Sequence, residues 1–343
     1  MAYLVANSYL GLVKEATRGT LPGSGTVGWI PVTTPQVTPM QTWLRDEALR
    51  GSGTLVYEQV AATRHDTLDF KSYLYADTFP HYLSAILGYE VTPVASSGAS
   101  YTHVLGLLNS ASTGSQPSSY SLLDFDGANY FQMLGAQAAD LTITFGAEAA
   151  AEAAVKFIGN PYTSLTSAPT VFNTLSITSE KLVPSWNSTI SVGGSGLTYI
   201  QSGELKFDRK TAPIFTMGTQ APKVNFAGPL EVTGKFTAVV DSNADPFSTG
   251  SSAYGLFRAG TPVATTITLT DPNDSNLNGS SVAVQHSISF TMSNVQYQNV
   301  KRVRGKEYTE VEVDFVANAN TTDAISGYSP VKATVVNGTS TAY

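Results

Sequence analysis

Alternation of polar and apolar residues in the second half of the chain constrains the fold more than any other feature of the sequence. Glu204, Lys206 and Asp208 alternate with Leu205 and Phe207. The same alternation recurs in three further segments, residues 230–238, 284–292 and 310–315. Successive side chains of a strand point to opposite faces, so each segment predicts a strand with one wet face. Parallel β-α-β sheets have continuous apolar strands instead, so we expect an all-β fold of antiparallel strands.

The composition agrees with short strands joined by many turns. The chain has 343 residues, with 29 Gly and 17 Pro, and it has no cysteine. Disulfides and cysteine-based zinc sites are therefore excluded, and burial and strand pairing must hold the fold together. Because all-β folds often use a large single domain, we predict one domain over residues 1–343.

The first half of the chain is less regular. Four prolines between residues 22 and 39 exclude regular helix there, and we predict an extended N-terminal arm over residues 1–45. Pro80 in a first turn and Gly88 at the end predict one short helix, at about residues 78–87. A Ser- and Gly-rich stretch predicts an insertion loop over residues 91–135.

Two further segments carry mixed signals. Residues 139–158 contain many alanines, which favour helix, but Leu141, Ile143 and Phe145 alternate, and we predict two strands. Residues 55–63 and 68–75 predict two strands of a hairpin around a charged turn at residues 64–66.

Charged residues concentrate unexpectedly in the stretch LRDEALRGSGTLVYEQ, residues 44–59. Only 13% of the chain is charged, yet Arg45, Asp46, Glu47 and Arg50 lie within six positions. The spacing of Asp46 and Arg50 predicts an i, i+4 ion pair in a short helical turn. Such a pair contributes only a few tenths of a kcal/mol, which hardly explains four charges in a chain with so few.

Sites for catalysis or metal binding are not indicated by the sequence. The four histidines lie in separate segments without metal-ligand spacing, and no nucleophile elbow or phosphate-binding loop is present. Glu310, Glu312 and Asp314 share one strand face, but a glycosidase also needs an acid across a cleft. We therefore expect no enzyme, cofactor or metal, and a β-rich hydrolase is the weakest alternative.

The charge and hydropathy patterns exclude other classes. The net charge of −7 argues against a protein that grips nucleic acid, and the basic cluster at residues 301–306 predicts a hairpin turn at a subunit contact or in solvent. No run of about 18 apolar residues occurs, and the first residues lack the features of a signal peptide. We expect a soluble protein whose N-terminus is retained.

Several stretches resemble the tail tube (major tail) proteins of long-tailed, siphovirus-type bacteriophages. They are VKEATRGT at 13–20, WIPV at 29–32, LRDEALRGSGTLVYE at 44–58, the helix ending in ILG, and the segments 202–240, 284–303, 310–324 and 331–337. The resemblance rests on the number and order of these stretches, which together cover nearly the whole chain.

The resemblance implies a β-sandwich flanked by one helix, in a subunit of hexameric rings. Inner strands would join across subunits into a barrel, and the stacked rings would form a tube that carries DNA into the host. Such a protein is a virion component made in the host cytoplasm. Its implied partners are other copies of itself and the tape-measure, tail terminator and baseplate proteins, and DNA would pass without specific binding.

Alternation and charge then select the candidate site residues. A water-filled bore needs polar side chains, and carboxylates would let DNA slide. The candidate lumen-facing residues are Glu204, Asp208, Glu231, Glu310, Glu312 and Asp314. The candidate inter-subunit or inter-ring residues are Lys14, Glu15, Arg45, Asp46, Glu47, Arg50, Arg302 and Arg304.

An alternative of a different class is a carbohydrate-binding or decoration module on a virion or cell envelope. Its sugar-stacking groups would be the aromatic residues Tyr101, Tyr120, Tyr130 and Phe131. A small satellite core would explain the same residues.

Overall fold

The fold is that of an all-β protein, as a computed structural model of the chain shows. The structure describes residues 4–96, 100–112, 114–176, 182–197, 199–240, 253–272, 284–304 and 307–343. Strands contain 51% of the residues and helices 8%, and the strand pairs are antiparallel, which confirms the predicted fold class.

The strands up to residue 165 are β1 (Tyr9–Lys14), β2 (Val27–Ile30), β3 (Gln36–Asp46), β4 (Glu58–Tyr73), β5 (Gly88–Glu90), β6 (Val94–Ala95), β7 (Tyr101–Leu107), β8 (Tyr120–Phe125), β9 (Tyr130–Gly146), β10 (Glu152–Gly159) and β11 (Thr163–Leu165). The later strands are β12 (Thr189–Val192), β13 (Ser195–Leu197), β14 (Ile200–Asp208), β15 (Ala212–Ile214), β16 (Val224–Phe226), β17 (Glu231–Val239), β18 (Val263–Thr270), β19 (Ser287–Val303), β20 (Glu310–Ala317) and β21 (Lys332–Asn337). The α-helices are α1 (Phe79–Leu87) and α2 (Ala253–Ala259), and single 3₁₀ turns cover Val5–Asn7, Thr170–Phe172 and Ser185–Asn187.

One broad antiparallel sheet forms the main layer. Its strands pair in the order β3, β4, β10, β9, β14, β17, β20 and β19. The first half of β19 leaves this layer and pairs with β18 and β21, and β21 pairs with β7. Strand β9 behaves similarly, because its first half pairs with β8 and β11 and its second half pairs with β10 and β14. The two long strands β9 and β19 therefore each join neighbouring parts of the sheet.

Strands β7, β18, β21 and the first half of β19 form a second layer. The core lies between this second layer, the main layer and α1. Phe207 of β14 and Phe79 of α1 both contact Phe290 of β19, at ring-centroid distances of 5.8 and 6.1 Å. On β14 and β20 the residues that alternate with the charged ones are buried, and on β17 Val232 and Phe236 of that face are buried. The predicted strands of the second half are thus observed with their apolar faces inward.

Helix α1 confirms the predicted helix. Pro80 lies in its first turn, and Gly88 ends it with a φ of +88°, a conformation that favours glycine. All residues of α1 are buried. The sequence predicted one helix only, and the short α2 was missed because seven residues with an internal glycine have weak helix propensity.

Several segments differ from the sequence predictions. Three paired strands, β1, β2 and most of β3, occupy the segment expected to be an N-terminal arm. Proline excludes helix there but is tolerated in an edge strand, as Pro39 is in β3. Of the expected insertion loop, residues 101–107, 120–125 and 130–135 lie in strands, because short apolar stretches pair despite the surrounding Ser and Gly residues.

The charged residues 64–66 form no turn, which corrects the predicted hairpin there. Strand β4 runs through them without a break and pairs with β3 on one side. At these residues β4 pairs with β3 on one edge, and β10 pairs with its other edge from Asp66 onward. The two strands predicted in residues 139–158 are confirmed, with β9 ending at Gly146 and β10 beginning at Glu152.

Candidate functional site

A continuous polar face covers the main sheet on the side opposite the core. Cross-strand partners in a sheet point to the same face. Glu204 is paired with Lys235, and Lys235 is paired in turn with Asp314. Glu312 lies opposite Lys301. The structure therefore brings the predicted lumen residues of β14, β17 and β20 together on one face.

The next rungs extend this face across β9, β10 and β4. Asp208 lies opposite both Glu231 and Asp140, and Asp140 lies opposite Lys156. The charged residues of the face are Asp69, Asp140, Glu152, Glu204, Asp208, Glu231, Glu312 and Asp314, together with Lys71, Lys156, Lys206, Lys235 and Lys301. Carboxylates outnumber ammonium groups there, so the face is polar and weakly acidic.

Lysines neutralise part of this charge locally. The Lys235 Nζ lies 3.1 Å from Glu204 Oε2, and the Lys301 Nζ lies 3.6 Å from Glu312 Oε2. Asn299 Nδ2 donates to Asp314 Oδ2 at 3.1 Å. Exposed pairs of this kind contribute about 0 to 1 kcal/mol each, so they organise the face more than they stabilise the fold.

Lys210 joins two carboxylates at one end of the face. Its Nζ lies 2.7 Å from Asp208 Oδ2 and 3.2 Å from Glu231 Oε2. Burial would raise the pKa of Asp208, but the hydrogen bonds from Lys210 outweigh burial and lower that pKa. The pKa of Asp140 is raised, chiefly by burial, and the facing Asp208 carboxylate adds to the effect.

Glu310 differs from the other predicted lumen residues. It begins β20 on the same side as Glu312, but only 5% of its surface is exposed. The alternation of the sequence identifies its face correctly but cannot reveal that the side chain is buried.

The β3–β4 hairpin carries a second candidate surface, which sequence reasoning did not single out. Trp43 and Leu44 are 52% and 61% exposed, and Val60, the cross-strand partner of Leu44, is 52% exposed. Successive residues of a strand point to opposite faces, so Trp43 and Leu44 leave both faces of the hairpin apolar and uncovered. Exposed apolar residues clustered in this way mark interaction surfaces.

The charged stretch of residues 45–50 lies at the tip of this hairpin. Arg45 and Asp46 end β3, and the loop 47–57 leads into β4. Asp46 and Arg50 form the predicted ion pair, and the Arg50 guanidinium lies 4.8 Å from the centre of the Tyr57 ring. The predicted helical turn is absent from this described loop, because Asp46 accepts a hydrogen bond from Ala48 N in a turn.

The base of the hairpin is held by a loop from the second half of the chain. Arg64 N donates to Gln220 O at 2.9 Å, and Gln220 Nε2 donates to Ala61 O at 3.1 Å. No local pattern in the sequence signals this contact, because it joins residues far apart in the chain.

Lys14 and Glu15 lie away from the hairpin. Glu15 is 6% exposed, and its carboxylate binds groups of its own chain. Lys14 Nζ donates to the backbone oxygen of Tyr343 at 3.0 Å.

Arg302 and Arg304 are exposed near the turn between β19 and β20. The cluster predicted over residues 301–306 ends with Gly305 and Lys306, which lie outside the described residues.

The aromatic residues of the alternative hypothesis do not form one exposed platform. Tyr120 is 1% exposed and packs in the core. Tyr130 packs against Phe125, with ring centroids 4.6 Å apart. Tyr101 and Phe131 are half-buried. Within the described ranges, no group of His, Asp and Glu could hold a metal ion, and no helix is long and apolar enough to cross a membrane.

Comparison with known proteins identifies a family. The family model for phage tail tube protein matches residues 5–317, which is most of the chain. No curated protein matches the sequence.

Proposed function

This chain belongs to the phage tail tube protein family, and from that premise we propose that it forms hexameric rings that stack into the conduit for DNA delivery. Membership makes it a structural component of the phage tail. The observation that carries the finer proposal is the continuous charged face of the main sheet, on the side away from the core.

This face suits the wall of a water-filled bore. A barrel around an aqueous channel needs polar residues inward and apolar residues packed behind them. Glu204, Glu312 and Asp314 supply negative charge, and paired lysines keep it moderate. DNA held by clustered cations would have to regain its counterions in order to move, whereas a weakly acidic wall leaves it mobile. We assign Asp208 and Glu231 to the same wall, whereas Glu310, which is 5% exposed, does not line it.

Closure of the sheet across subunits gives its edges partners. Strand β3 pairs with β4 alone among the described strands, so its outer edge presents unpaired backbone groups. An exposed sheet edge is a template for pairing with another chain, and a closed ring of subunits removes such edges. This requirement favours a ring over a monomer.

The hairpin supplies a contact between copies of this chain. Trp43, Leu44 and Val60 are uncovered on its two faces, and burial of such side chains drives association. At its tip, Arg45, Asp46, Glu47 and Arg50 carry both signs of charge, and complementary charges select a partner and fix its register. We propose that the hairpin inserts against a neighbouring subunit or ring, and that Arg302, Arg304 and Lys14 take part in further contacts between subunits.

The remaining partners follow from the resemblance to siphovirus-type tail tubes. Tape-measure protein would occupy the bore before DNA does, and terminator and baseplate proteins would bind the two ends of the tube. The protein would be made in the host cytoplasm and reside in the virion tail.

Electron microscopy of the purified protein tests this proposal. We expect wild-type protein to form rings or tubes, and Leu44→Asp to remain folded but to assemble poorly, because it places a charge in the hairpin contact. Leu175→Asp is the matched control, since Leu175 is 45% exposed and lies outside the hairpin. Wild-type protein that stays monomeric at all concentrations would contradict the proposal, and equal assembly of both variants would contradict the role of the hairpin.

A further inference from the structure

The main sheet consists of two sets of four strands that have the same connectivity. Across the sheet, the first set has the order β3, β4, β10 and β9, and the second has the order β14, β17, β20 and β19. In each set the first two strands in the chain are neighbours, and a helix separates them from the last two. The last strand of each set in the chain, β10 or β20, pairs with the second strand, β4 or β17.

The elements outside the main layer repeat in the same order. Strand β8 pairs with β1 and with the first half of β9, just as β18 pairs with β12 and with the first half of β19. Strands β11 and β21 return to the first halves of β9 and β19. Helix α1 contacts β9, and α2 contacts β19.

Two structural units can therefore be defined in the chain. The first unit comprises β1–β4, α1 and β8–β11, and the second unit comprises β12–β14, β17, α2 and β18–β21. Strands β5–β7 lie only in the first half of the chain and the β15–β16 hairpin only in the second, and neither has a counterpart among the described elements of the other unit.

The pairing of the last two strands of each unit matches residue by residue. Strands β10 and β20 have 8 residues each, and β9 and β19 have 17 each. Both ladders skip a single residue of the long strand, Ala139 in β9 and Gln298 in β19. The skip follows the fifth residue of the short strand in both units, Lys156 or Asp314. Bulges are conserved between related strands, so this coincidence indicates that the two units are copies of one another.

A sequence pattern accompanies the structural match. Residues 152–163 and 310–321 share the pattern E-x-x-V-x-F-x-x-N-x-x-T. Its phenylalanines, Phe157 and Phe315, are both buried in the core. Its asparagine in each unit donates a backbone hydrogen bond to the first half of the long strand, at 3.0 and 2.8 Å.

The two units are joined within the chain by β9 and β14. These strands pair in antiparallel fashion, with Thr144 opposite Glu204 and Thr142 opposite Lys206. Their counterparts, β19 and β3, lie at the two ends of the main sheet. Among the described strands, the second half of β19 pairs with β20 alone, and β3 pairs with β4 alone. Each chain therefore presents, at its two sheet edges, the same two kinds of strand that join its own units.

We propose that β19 of one copy pairs with β3 of the next copy as β9 pairs with β14 within the chain. This pairing rests on the proposed ring of copies, and it names the strands that close the ring. Neighbouring strands of the main sheet are antiparallel and eight in number, so β19 and the β3 of the next copy are antiparallel as well. The contact joins two different edges, which makes it head-to-tail and lets it generate a ring.

The match between β3 and β14 sets one side of the register. Thr38 lies opposite Thr67, and Lys206 lies opposite Thr233. Thr67 and Thr233 in turn lie opposite the seventh residues of β10 and β20. Thr38 of β3 is therefore the counterpart of Lys206 of β14.

The match between β19 and β9 sets the other side. Lys301 lies opposite the third residue of β20, and Thr142 lies opposite the third residue of β10, so these two residues are counterparts. Because Thr142 and Lys206 are cross-strand partners, Lys301 of one copy lies opposite Thr38 of the next.

This register continues the charged face from one copy to the next. Lys301 belongs to that face, and Gln36 at the start of β3 lies opposite Asp69 of the same face. The backbone groups of both sheet edges gain partners. Pro39 has no N–H, so the ladder loses at most one hydrogen bond at that residue.

Engineered disulfides test the pairing, because the chain has no cysteine of its own. In assembled protein we expect the double variant Thr38→Cys, Lys301→Cys to form a ladder of reducible multimers on a denaturing gel. The matched control is Thr42→Cys, Lys301→Cys, since Thr42 lies on the same side of β3 but about 14 Å farther along it. This distance is too long for a disulfide, so we expect at least about tenfold less cross-linking.

Microscopy of the same samples separates failure of the pairing from failure of the proposed function. Rings without cross-links in this variant and in a second pair, Met40→Cys with Asn299→Cys, would overturn the pairing and leave the proposed function intact. Products that stop at dimers would also overturn it, because a head-to-tail contact extends around the whole ring. Wild-type protein that forms no rings would overturn both.

The length of the ladder tests the number of copies in a ring. A ladder that ends at six copies supports the pairing and the hexamer together. Because each chain contains two units, a ring of six units needs only three chains. A ladder that ends at three copies would therefore support the pairing and overturn the hexameric count.

Discussion

The carboxylate of Glu15 shows how a single buried charge can organise several elements. It accepts hydrogen bonds from Ser119 Oγ at 2.6 Å and Ser121 Oγ at 2.7 Å, and from the backbone N of Gly19 at 2.6 Å and of Gly135 at 2.8 Å. Ser121 lies in β8, Ser119 just before it, Gly135 in β9, and Gly19 in the turn after β1. Glu15 therefore ties three parts of its own subunit together.

Replacement of Glu15 by Gln should destabilise the subunit, because one of the two accepting oxygens becomes an NH2 group. That group cannot accept the hydrogen bonds of the donors that surround it. We expect the free energy of unfolding in urea to fall by about 2 kcal/mol or more. Glu148→Gln, at an exposed position, should change it by less than about 0.5 kcal/mol. Equal stability of the two variants would show that the network contributes little.

Asp124 on β8 is a buried carboxyl group of the opposite kind. Burial, reinforced by Asp126, raises its pKa to about 6 from the usual 3.8 of an aspartate. A raised pKa means that the folded protein favours the protonated form. Asp124 therefore destabilises the folded protein progressively as the pH rises from about 4, the penalty is complete above about 6, and it disappears as the pH falls back toward 4.

Asp124→Asn should consequently raise the melting temperature at pH 7. The gain is at most about 3 kcal/mol at neutral pH, since one pKa unit corresponds to about 1.4 kcal/mol. At about pH 4 the variant and the wild type should be equally stable, which makes the pH series its own control. A variant that is less stable than the wild type at pH 7 would show that the ionised Asp124 has a stabilising partner.

The β3–β4 hairpin is the element on which the account of assembly depends. Its tip carries the charge cluster that stands out in the sequence, and its strands carry Trp43, Leu44 and Val60 in exposed positions. The Asp46–Arg50 pair is exposed, so it stabilises the monomer little. We therefore expect the charge cluster to act through a contact with a neighbouring subunit.

Arg50→Glu should leave the monomer folded and impair tube assembly, because it reverses a charge at the hairpin tip. Arg258→Glu is a matched control, since Arg258 is also exposed and its charge change is the same. Circular dichroism should show both variants folded, while microscopy should show fewer or shorter tubes for Arg50→Glu alone. Tubes of normal length and number from Arg50→Glu would show that the hairpin tip takes no part in the contact between subunits.

Strands that separate a wet face from the core could be predicted from sequence. Exposed or half-buried charged residues alternate with buried ones over residues 203–208 of β14 and 311–315 of β20, and β17 buries Val232 and Phe236 between its charged residues. Strand β3 could not be predicted from the sequence, because its side chains are exposed on both faces and its residues do not alternate between polar and apolar. The network around Glu15 and the contact of Gln220 with β4 could not either, since both join residues far apart in the chain.

At the scale of the whole molecule, one sheet has two different faces. Its core face packs against the second layer and α1, and its other face carries the aligned charges of β4, β10, β9, β14, β17 and β20. The sequence could predict that these charges share a side of their strands. The sequence could not predict which charged residues of neighbouring strands lie opposite one another, because register depends on pairing between distant segments.

A density map of the assembled tube, with side chains visible, tests whether the charged face lines the bore. We expect hexameric rings in which Glu204, Lys235 and Glu312 face the bore, with the β3–β4 hairpin against a neighbouring copy. A map in which this charged face lies on the outside of the tube, or is buried between rings, would contradict it.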